Sequence, residues 1–445
     1  KYKPVIGLEV HVELKTKSKM FCRCDAAYFG EKPNTHTCPV CLGLPGALPY
    51  PNKQAIEWCI KIALALNCRI NEFSKFDRKN YFYPDLAKGY QISQYDLPFG
   101  EKGFIDVFKE KGSSETKRIG ITRVHMEEDT GKLTHATVEG TSASLVDFNR
   151  SGVPLVEIVT EPDFDNEYQV VQYLQKLQKI VRYLGVSKAD MERGDMRLEP
   201  NISLRKTGDS GLPKYKVEVK NINSFKFVDR AIKFEIERQA KILDEEKTPV
   251  QETRGWNETK NATVSQRSKE EAHDYRYFPE PDIPPITFDK SQISNLKSEI
   301  GELPDAKQKR FEKEYTLAGY DAEILTREKG LADFFEQAVK DSKEFDVTPK
   351  EIANTIINQK LDVSKFEPAE VVKMILENKK KEDLSPDVLE SLIDSVLSEN
   401  QKAVEDYKKG NENAAMFLLG QVMRKAGKKL NPEVVKNSII ERVKS

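Results

Sequence analysis

Alternating polar and apolar residues near the start of the chain predict a β-strand with one apolar and one charged face. From Ile6 to Leu14, leucine and valine side chains alternate with Glu9, His11 and Glu13. Because successive side chains of a strand point to opposite sides of its sheet, the three ionisable groups share one face. A solvent-exposed face would also explain this pattern, so the strand alone does not predict a site.

Two further predicted strands carry carboxylates in or beside apolar runs. Glu157 is the single carboxylate of the apolar run Leu155–Val159, and Arg123–Asp129 contains Glu127 and Glu128. A charged carboxylate in an apolar interior is costly unless it is paired or binds a metal. Oxygen ligands suit Mg²⁺, which commonly completes its shell with phosphate oxygens. Metal-assisted phosphoryl chemistry is therefore the first hypothesis for function.

Two closely spaced pairs of cysteines predict a zinc site. Their members are Cys22, Cys24, Cys38 and Cys41. Four thiolates fill the tetrahedral shell of Zn²⁺, so the predicted role is structural. His36 lies between the pairs as an alternative ligand. Cys59 and Cys68 fall in the next predicted helix and at its end, where burial as small residues is the simpler interpretation.

Composition predicts an ordinary globular protein of two or three domains. The 445 residues are 38% hydrophobic and 32% charged, and 71 Lys and Arg balance 72 Asp and Glu. A net charge of −1 means that any contact with nucleic acid must be local. No apolar run is long enough for a membrane span, and no signal-peptide pattern opens the chain. We expect a cytoplasmic protein, or an organellar one if a leading segment precedes Lys1.

The spacing of apolar residues and the positions of helix-capping and proline residues indicate an α+β region followed by helices. Helices are predicted for Asn52–Asn67, from about Asn166, and from Ser224 to about Leu243. After Pro284 and Pro285 nearly all segments are short, charged and helical. The predicted domains are an α+β domain at 1–290 and all-α modules at 291–380 and 381–445.

Five segments carry a resemblance to a known family: Val5–Leu14, Phe76–Asp85, His125–Asp129, Val217–Phe225 and Asp274–Asp282. They closely resemble the B subunits of aspartyl/glutamyl-tRNA amidotransferases. The likeness resumes in the helical part at Leu317–Thr326, Val404–Tyr407 and Gly420–Met423.

The resemblance implies amide synthesis on a misacylated tRNA. The family's B subunit uses ATP and Mg²⁺ to phosphorylate the side-chain carboxylate of Glu-tRNA(Gln) or Asp-tRNA(Asn). Ammonia from a glutaminase A subunit then displaces the phosphate, and a small C subunit completes the heterotrimer. The family's first domain is similar to glutamine synthetase and guanido kinases. The expected fold is therefore such a domain with a zinc-stabilised loop, followed by two all-α modules.

The resemblance also implies candidate catalytic residues. The family's pattern places the Mg²⁺ ligands at His11, Glu128 and Glu157, with Glu9 beside them. Strand alternation from His125 favours Glu127 over Glu128, so both stay candidates. A role for His11 in orienting the ligands is the alternative to direct coordination.

Four cations and three aromatic residues are further candidates for binding ATP or the tRNA end. The cations expected on phosphates are Arg78, Lys79, Arg197 and Lys220, and each could instead form a salt bridge or a solvated surface. Tyr81 and Tyr83, with Phe82 between them, are expected to stack on adenine or on the terminal adenosine of tRNA. Aromatic packing in the core is the alternative for at least one of them.

The helical tail carries the prediction of RNA binding. Residues 401–445 contain ten Lys and Arg against five Asp and Glu. Basic helical faces are usually just solvated, so this signal is weak by itself. Taken together with the family resemblance of the rest of the chain, residues 401–445 look like the family's tRNA-contacting tail domain.

The chain departs from the family pattern in two places. Where the family has cysteine, aspartate and alanine, this chain has Leu198, Glu199 and Pro200. The stretch from Ile352 to Tyr407 is also short for the family. Two other functions remain open: a non-catalytic zinc-containing RNA-binding subunit, and a small-molecule carboxylate-amine ligase.

Overall fold

The alternating segment forms β1, Tyr2–Glu13, an inner strand of a nine-stranded sheet. Its leucine and valine side chains are buried, whereas Glu9, His11 and Glu13 keep a small part of their surface accessible. The two-faced strand is thus confirmed. Its polar face is largely covered and is not an open surface.

The structure is a computed structural model that describes residues 1–268, 275–382, 386–408, 411–426 and 432–444. Asp274, the first residue of one family-like segment, lies outside the described residues, as do Lys409, Lys428 and Lys429 of the basic tail. The chain divides into two units, Lys1–Ala306 and Lys307–Ser445.

The first unit contains the strands. In chain order after β1 they are β2 (Arg69–Ile70), β3 (Phe73–Ser74), β4 (Asp77–Asn80), β5 (Tyr90–Ser93), β6 (Gly100–Phe108), β7 (Thr116–Glu128), β8 (Lys132–Val138), β9 (Thr141–Asp147), β10 (Pro154–Thr160), β11 (Met196–Lys206), β12 (Val217–Lys220), β13 (Glu252–Asn257), β14 (Ala262–Ser268), β15 (Phe278–Pro279) and β16 (Ile286–Thr287). The large sheet has the order β14-β13-β12-β11-β1-β10-β7-β6-β2. All its neighbouring strands are antiparallel except β12 and β13.

Three helices share one hydrophobic core with the apolar face of this sheet. They are α1 (Lys53–Ala65), α2 (Glu167–Tyr183) and α3 (Phe225–Asp244). Each begins after a side chain that caps its first turn, namely Asn52, Asn166 and Ser224. Such caps satisfy backbone N–H groups that the helix itself leaves free. All three predicted helices are confirmed, and α1–α3 leave the opposite face of the sheet to the polar residues.

The remaining strands form small sheets. β4 lies between β5 and β15, β3 pairs with β16, and β8 pairs with β9 in a hairpin whose side chains are mostly exposed. The sheet β15-β4-β5 matters for the site because two family-like segments meet in it. β4 belongs to Phe76–Asp85, and β15 belongs to the segment that ends at Asp282.

The remaining regular elements of the described residues are helices. They are α4 (Lys290–Ser298), α5 (Pro304–Glu314), α6 (Gly319–Leu325), α7 (Lys329–Asp341), α8 (Pro349–Asn358), a 3₁₀ turn (Val363–Lys365), α9 (Pro368–Glu382), α10 (Pro386–Glu399), α11 (Gln401–Lys408), α12 (Glu412–Ala426) and α13 (Pro432–Lys444). In the second unit, apolar residues form one cluster within 311–376 and another within 393–443. The predicted α+β part and helical part are confirmed, while the division at 290 and 380 stays a prediction. No described helix has the length and apolar character that crossing a membrane requires.

Candidate active site and cysteine centre

One row of side chains crosses four neighbouring strands on the polar face of the large sheet. His11 in β1 is paired with Arg197 in β11 on one side and with Glu157 in β10 on the other. Glu157 is paired in turn with His125 in β7. Directly opposite residues of antiparallel strands place their side chains next to each other. The register therefore builds a cluster from residues up to 186 positions apart.

His11 lies at the centre of this cluster. Its Nε2 is 3.4 Å from Oε1 of Glu127 and 3.7 Å from Oε2 of Glu157. The same carboxylate oxygen of Glu157 is 3.0 Å from Nε2 of His125. Ligand atoms of His11, Glu127 and Glu157 all lie within 4.8 Å of one another. Two carboxylates and one imidazole at this spacing fit a divalent cation, with the oxygens as the hard ligands.

The protonation of the cluster reflects its two carboxylates. Burial opposes a charge on His11, but the facing carboxylates of Glu127 and Glu157 outweigh it and raise the pKa of His11 to about 9. Burial likewise disfavours the charged form of Glu157, yet His125 and His11 hold the pKa of Glu157 below its ordinary value. Positive charge between the carboxylates is thus favoured, whether a proton or a metal ion supplies it.

Glu128 lies outside this cluster. Its carboxylate is 2.5 Å from Nζ of Lys88 and accepts a hydrogen bond from the backbone N–H of Ile92 at 3.0 Å. It is 2% exposed, so this ion pair is buried. Because Glu127 and Glu128 are adjacent in β7, their side chains leave the strand on opposite sides. The structure brings Glu127 to His11 and Glu157, and it places Glu128 beside the cysteine loop.

A second acidic group adjoins the first. Ligand oxygens of Glu9, Glu199 and Glu218 lie within 4.8 Å of one another. Lys220 Nζ is 2.8 Å from Glu199 and 3.7 Å from Glu218, so this group contains its own cation. Burial and the neighbouring carboxylates raise the pKa of Glu9. Glu199, one of the three residues named above as departing from the family pattern, is paired with Glu9 in the register of β1 and β11.

The predicted phosphate-binding cations have different surroundings. Lys79 is held near the first cluster, where Glu127 and Glu157 raise its pKa although burial opposes this. Arg78 instead forms an ion pair with Glu280 (Nε to Oε2, 2.6 Å) and stacks over Tyr90. Arg197 donates a hydrogen bond to the buried carboxylate of Asp129.

The predicted aromatic residues are likewise divided. Tyr81 packs edge-on against Tyr275, and the ammonium group of Lys79 lies 4.8 Å from the Tyr275 ring centre. Tyr83 is 59% exposed and Phe82 is 81% exposed. The described residues 275–282 run beside β4, through the pairing of β15, and so help to form one wall of the site.

The four cysteines also come together. Their sulfur atoms lie within 4.8 Å of one another, in the order Cys22, Cys24, Cys38 and Cys41 along the chain. Cys41 is almost fully buried and accepts a hydrogen bond from the backbone N–H of Cys38 at 3.1 Å. Four thiol sulfurs without another donor in the group fit Zn²⁺. Cys59 and Cys68 are buried in the hydrophobic core of the first unit, as predicted.

Several residues of both sites were not candidates from the sequence. His125 shares strand parity with Glu127, and this signal could have identified it. Lys88 and Asp129 pair with Glu128 and Arg197 across distant parts of the chain, and no local pattern indicates these contacts. His36, the alternative zinc ligand, lies outside the sulfur group, and its Nδ1 is 3.3 Å from the carbonyl oxygen of Asp25.

The large sheet with its carboxylate-imidazole cluster and the helices that follow it in the chain define the class of protein, an α+β domain with a helical extension. Residues 4–294 match the family described as GatB/GatE catalytic domain, and residues 347–443 match the GatB domain. The chain belongs to the family of aspartyl/glutamyl-tRNA(Asn/Gln) amidotransferase B subunits.

Similar proteins cover the whole length of the chain. A protein of Carboxydothermus hydrogenoformans named as this B subunit is 45% identical over 98% of the chain and 97% of its own length. Those of Thermotoga sp. strain RQ2 and Caldanaerobacter subterraneus subsp. tengcongensis, with the same name, are 45% and 46% identical. They cover 100% and 99% of this chain, and 99% of each relative is matched.

Proposed function

We propose that this chain activates the side-chain carboxylate of a misacylated tRNA and directs its amidation. The substrates would be Glu-tRNA(Gln), Asp-tRNA(Asn) or both. The observation that carries the proposal is the cluster of His11, Glu127 and Glu157 on the sheet of a chain that belongs to the amidotransferase B family. ATP-dependent phosphorylation comes first, and ammonia from a glutaminase subunit then forms the amide.

The chemistry explains why a kinase site is needed. A free carboxylate is a poor acyl donor because oxide would have to leave, whereas an acyl phosphate has a good leaving group. Mg²⁺, held by His11, Glu127 and Glu157, would neutralise charge on the transferred phosphoryl group. Lys79 lies near the same carboxylates and would add a fixed positive charge for phosphate oxygens. His125 orients Glu157 through the 3.0 Å contact between Nε2 and Oε2.

Two cavities flank the cluster along β1 and suit a reaction of two substrates. One, of about 530 Å³, is lined by Glu13, Tyr28 and Phe29. The other, of about 330 Å³, is lined by Glu9 and Asn201. Glu9 and Glu13 lie on either side of His11 on the same face of the strand. We propose that these two cavities receive the two substrates, one on either side of His11.

The second acidic group would assist at the edge of the site. Asn201 donates a hydrogen bond to Glu9 at 3.0 Å, which fixes the carboxylate nearest to the 330 Å³ cavity. Lys220 is already paired with Glu199 and lies 3.7 Å from Glu218, so we assign it to charge balance there and not to direct contact with phosphate. Arg78 and Arg197, both paired with carboxylates, would likewise position the site walls.

The cysteine centre would hold a structural Zn²⁺ ion through Cys22, Cys24, Cys38 and Cys41. Four protein ligands leave no open coordination position, so this ion would brace the loop and not bind substrate. The 210 Å³ cavity beside it is lined by Cys22, Cys41, Lys88 and Glu128, and thus connects the centre with the end of β7.

The proposed complex contains a glutaminase A subunit and a small C subunit in a cytoplasmic heterotrimer. The domains would be the catalytic domain 1–290, the helical domain 291–380 and a tRNA-binding tail 381–445. Two described basic residues of the tail form ion pairs, Lys425 with Glu399 and Arg442 with Asp394. Exposed residues such as Lys402 and Lys436 are therefore the better candidates for phosphate contacts.

The test is ADP release by the complex reconstituted with its A and C subunits, with and without Glu-tRNA(Gln). Glu157→Gln keeps the size of the side chain but removes its charge, and the exposed Glu110→Gln is the matched control. Release that depends on charged tRNA and is lost only in Glu157→Gln supports the proposal. Release that ignores tRNA would indicate a small-molecule ligase. No release from a folded complex would indicate a non-catalytic RNA-binding subunit.

A further inference from the structure

Lys19 is a fully buried lysine beside the cysteine centre. Its relative exposure is 0%, and it ranks among the largest completely buried side chains of the described residues. Lysine is almost never fully buried unless its charge is paired. Lys17, two residues earlier in the same loop, is exposed. The burial of Lys19 thus requires a specific partner.

Three acceptors surround the ammonium group of Lys19. Its Nζ is 2.6 Å from the carbonyl oxygen of His36, 3.4 Å from that of Phe148 and 3.7 Å from Sγ of Cys41. A lysine ammonium has three N–H donors, so the set is complete. Two of these acceptors are neutral carbonyls. Among the described contacts of Lys19, the sulfur of Cys41 is the partner able to carry a negative charge.

The backbone around Lys19 joins the cysteine loop to the strands of the active site. Its own N–H donates to the carbonyl of Cys24, and the next N–H, of Met20, donates to the carbonyl of Gly152. At Gly152, φ is +87°, and an added Cβ would lie 3.4 Å from Cβ of Cys41 and 3.6 Å from Cδ of Lys19. The stem of Lys19 therefore packs directly beside Gly152 and Cys41.

We propose that Lys19 is the counter-cation of the cysteine centre and a positioning residue for its metal-bound Cys41 thiolate. Four thiolates and one divalent cation carry a net charge of −2, which is costly to bury without compensation. The ammonium group of Lys19 reduces this charge to −1 and donates a hydrogen bond to one sulfur. Outer contacts of this kind hold ligands in place and slow metal loss. The inference rests on the zinc assignment proposed above.

The test uses variants that separate charge from hydrogen bonding. Lys19→Gln retains N–H donors for the two carbonyls but has no charge, whereas Lys19→Met has neither. Lys17→Met is the matched control because it removes an exposed charge from the same loop. The full-length chain is purified with zinc, and release of the metal to a chromophoric chelator is followed over time.

Both Lys19 variants should release zinc roughly 10- to 100-fold faster than the unaltered chain, while Lys17→Met should not differ from it. Cobalt substitution provides a second measurement. Loss of the hydrogen bond to Cys41 should shift the thiolate-to-cobalt charge-transfer band to longer wavelength, a change that general loosening of the fold would not produce.

The outcomes separate this proposal from the zinc assignment. An unaltered chain that contains no stoichiometric zinc overturns the assignment itself. A zinc-loaded chain whose release rate is unchanged in both Lys19 variants overturns the role of Lys19 only. If Lys19→Gln releases zinc as slowly as the unaltered chain and Lys19→Met does not fold, the residue acts only as a hydrogen-bond donor to the carbonyls of His36 and Phe148. The counter-cation proposal is then wrong.

Discussion

The two ligand clusters of the first unit are built in opposite ways. The four cysteines lie within twenty residues of one another, so one short loop brings them together. His11, Glu127 and Glu157 come from three strands and meet only because the strands pair in one register. A loop can be braced by its own metal, whereas a cluster across strands inherits its geometry from the whole sheet. The first arrangement suits a structural role, and the second suits a catalytic one.

Replacing the neighbouring residues Glu127 and Glu128 gives the largest test of this difference. Glu127→Gln should reduce tRNA-dependent ADP release roughly 10²–10³-fold with little change in melting temperature, because it removes charge from the cluster. Glu128→Gln leaves the Lys88 ammonium group, whose side chain is 10% exposed, without a charged partner and should cost about 3–5 kcal/mol of stability. Steady-state kinetics and thermal unfolding of both variants provide the comparison.

The opposite result would be informative. If Glu128→Gln abolished ADP release and Glu127→Gln did not, the metal would have to bind as the family pattern implies. The side chains of β7 would then have to rearrange when substrate binds.

Removal of one thiolate should damage the local cluster without the same loss of chemistry. Cys38→Ser should eliminate bound zinc, lower the melting temperature by several degrees and make residues 22–41 sensitive to a protease. The kcat of the surviving folded complex should fall less than in Glu127→Gln. Metal analysis, limited proteolysis and kinetics on the same preparation measure this. Zinc retained at full stoichiometry would contradict the four-cysteine site.

The pH dependence of metal binding tests the strand-built cluster alone. Without metal, the pKa of His11 is raised from 6.5 to about 9, so its proton stabilises the fold fully below about pH 6.5 and this contribution is lost as the pH rises through 9. Mg²⁺ must displace that proton, and its affinity should therefore increase from pH 7 to pH 9.

Titration calorimetry at pH 7, 8 and 9 measures the affinity for Mg²⁺. Urea unfolding of the Mg²⁺-free chain at the same pH values measures the stability that the His11 proton contributes. His11→Gln should flatten both dependences, and exposed His135→Gln should flatten neither. A pH-independent Mg²⁺ affinity in the unaltered chain would mean that His11 is not at the metal.

The smallest effect is expected from a cysteine outside both clusters. Cys68 is buried in the core near Gly103, and Cys68→Ala should change stability by about 1 kcal/mol and leave zinc content and ADP release unaltered. Metal analysis and thermal unfolding measure this. A lower zinc content would show that the metal site extends beyond the cysteine loop.

Local features of the fold were predictable from the sequence, and distant ones were not. Asn52, Asn166 and Ser224 are cap residues followed by amphipathic periods, so α1–α3 follow from neighbouring residues. The two faces of β1 follow from simple alternation. The grouping of the four cysteine sulfurs is confirmed, and it was predictable because all four cysteines lie in one loop.

The pairing register of the strands, which the sequence does not reveal, decides which residues of the candidate site meet. Nothing local to β1, β7 or β10 determines that His11 faces Glu157 or that Glu157 faces His125. Alternation from His125 indicated Glu127, while the family pattern indicated Glu128, and only the paired strands distinguish their positions. Lys19 had no signal in the sequence because its burial depends on Phe148, which is 129 residues away.

The hairpin of β8 and β9 is the place where we expect this chain to tolerate changes in length. One residue added to β1 or β10 would shift every later side chain to the other face and separate His11 from Glu157. The hairpin stands apart from the nine-stranded sheet, and its turn at Glu139 and Gly140 already has positive φ values of 48° and 81°. Tags, labels or evolutionary insertions are best accepted at this turn, while the inner strands have a length that is set by the chemistry they align.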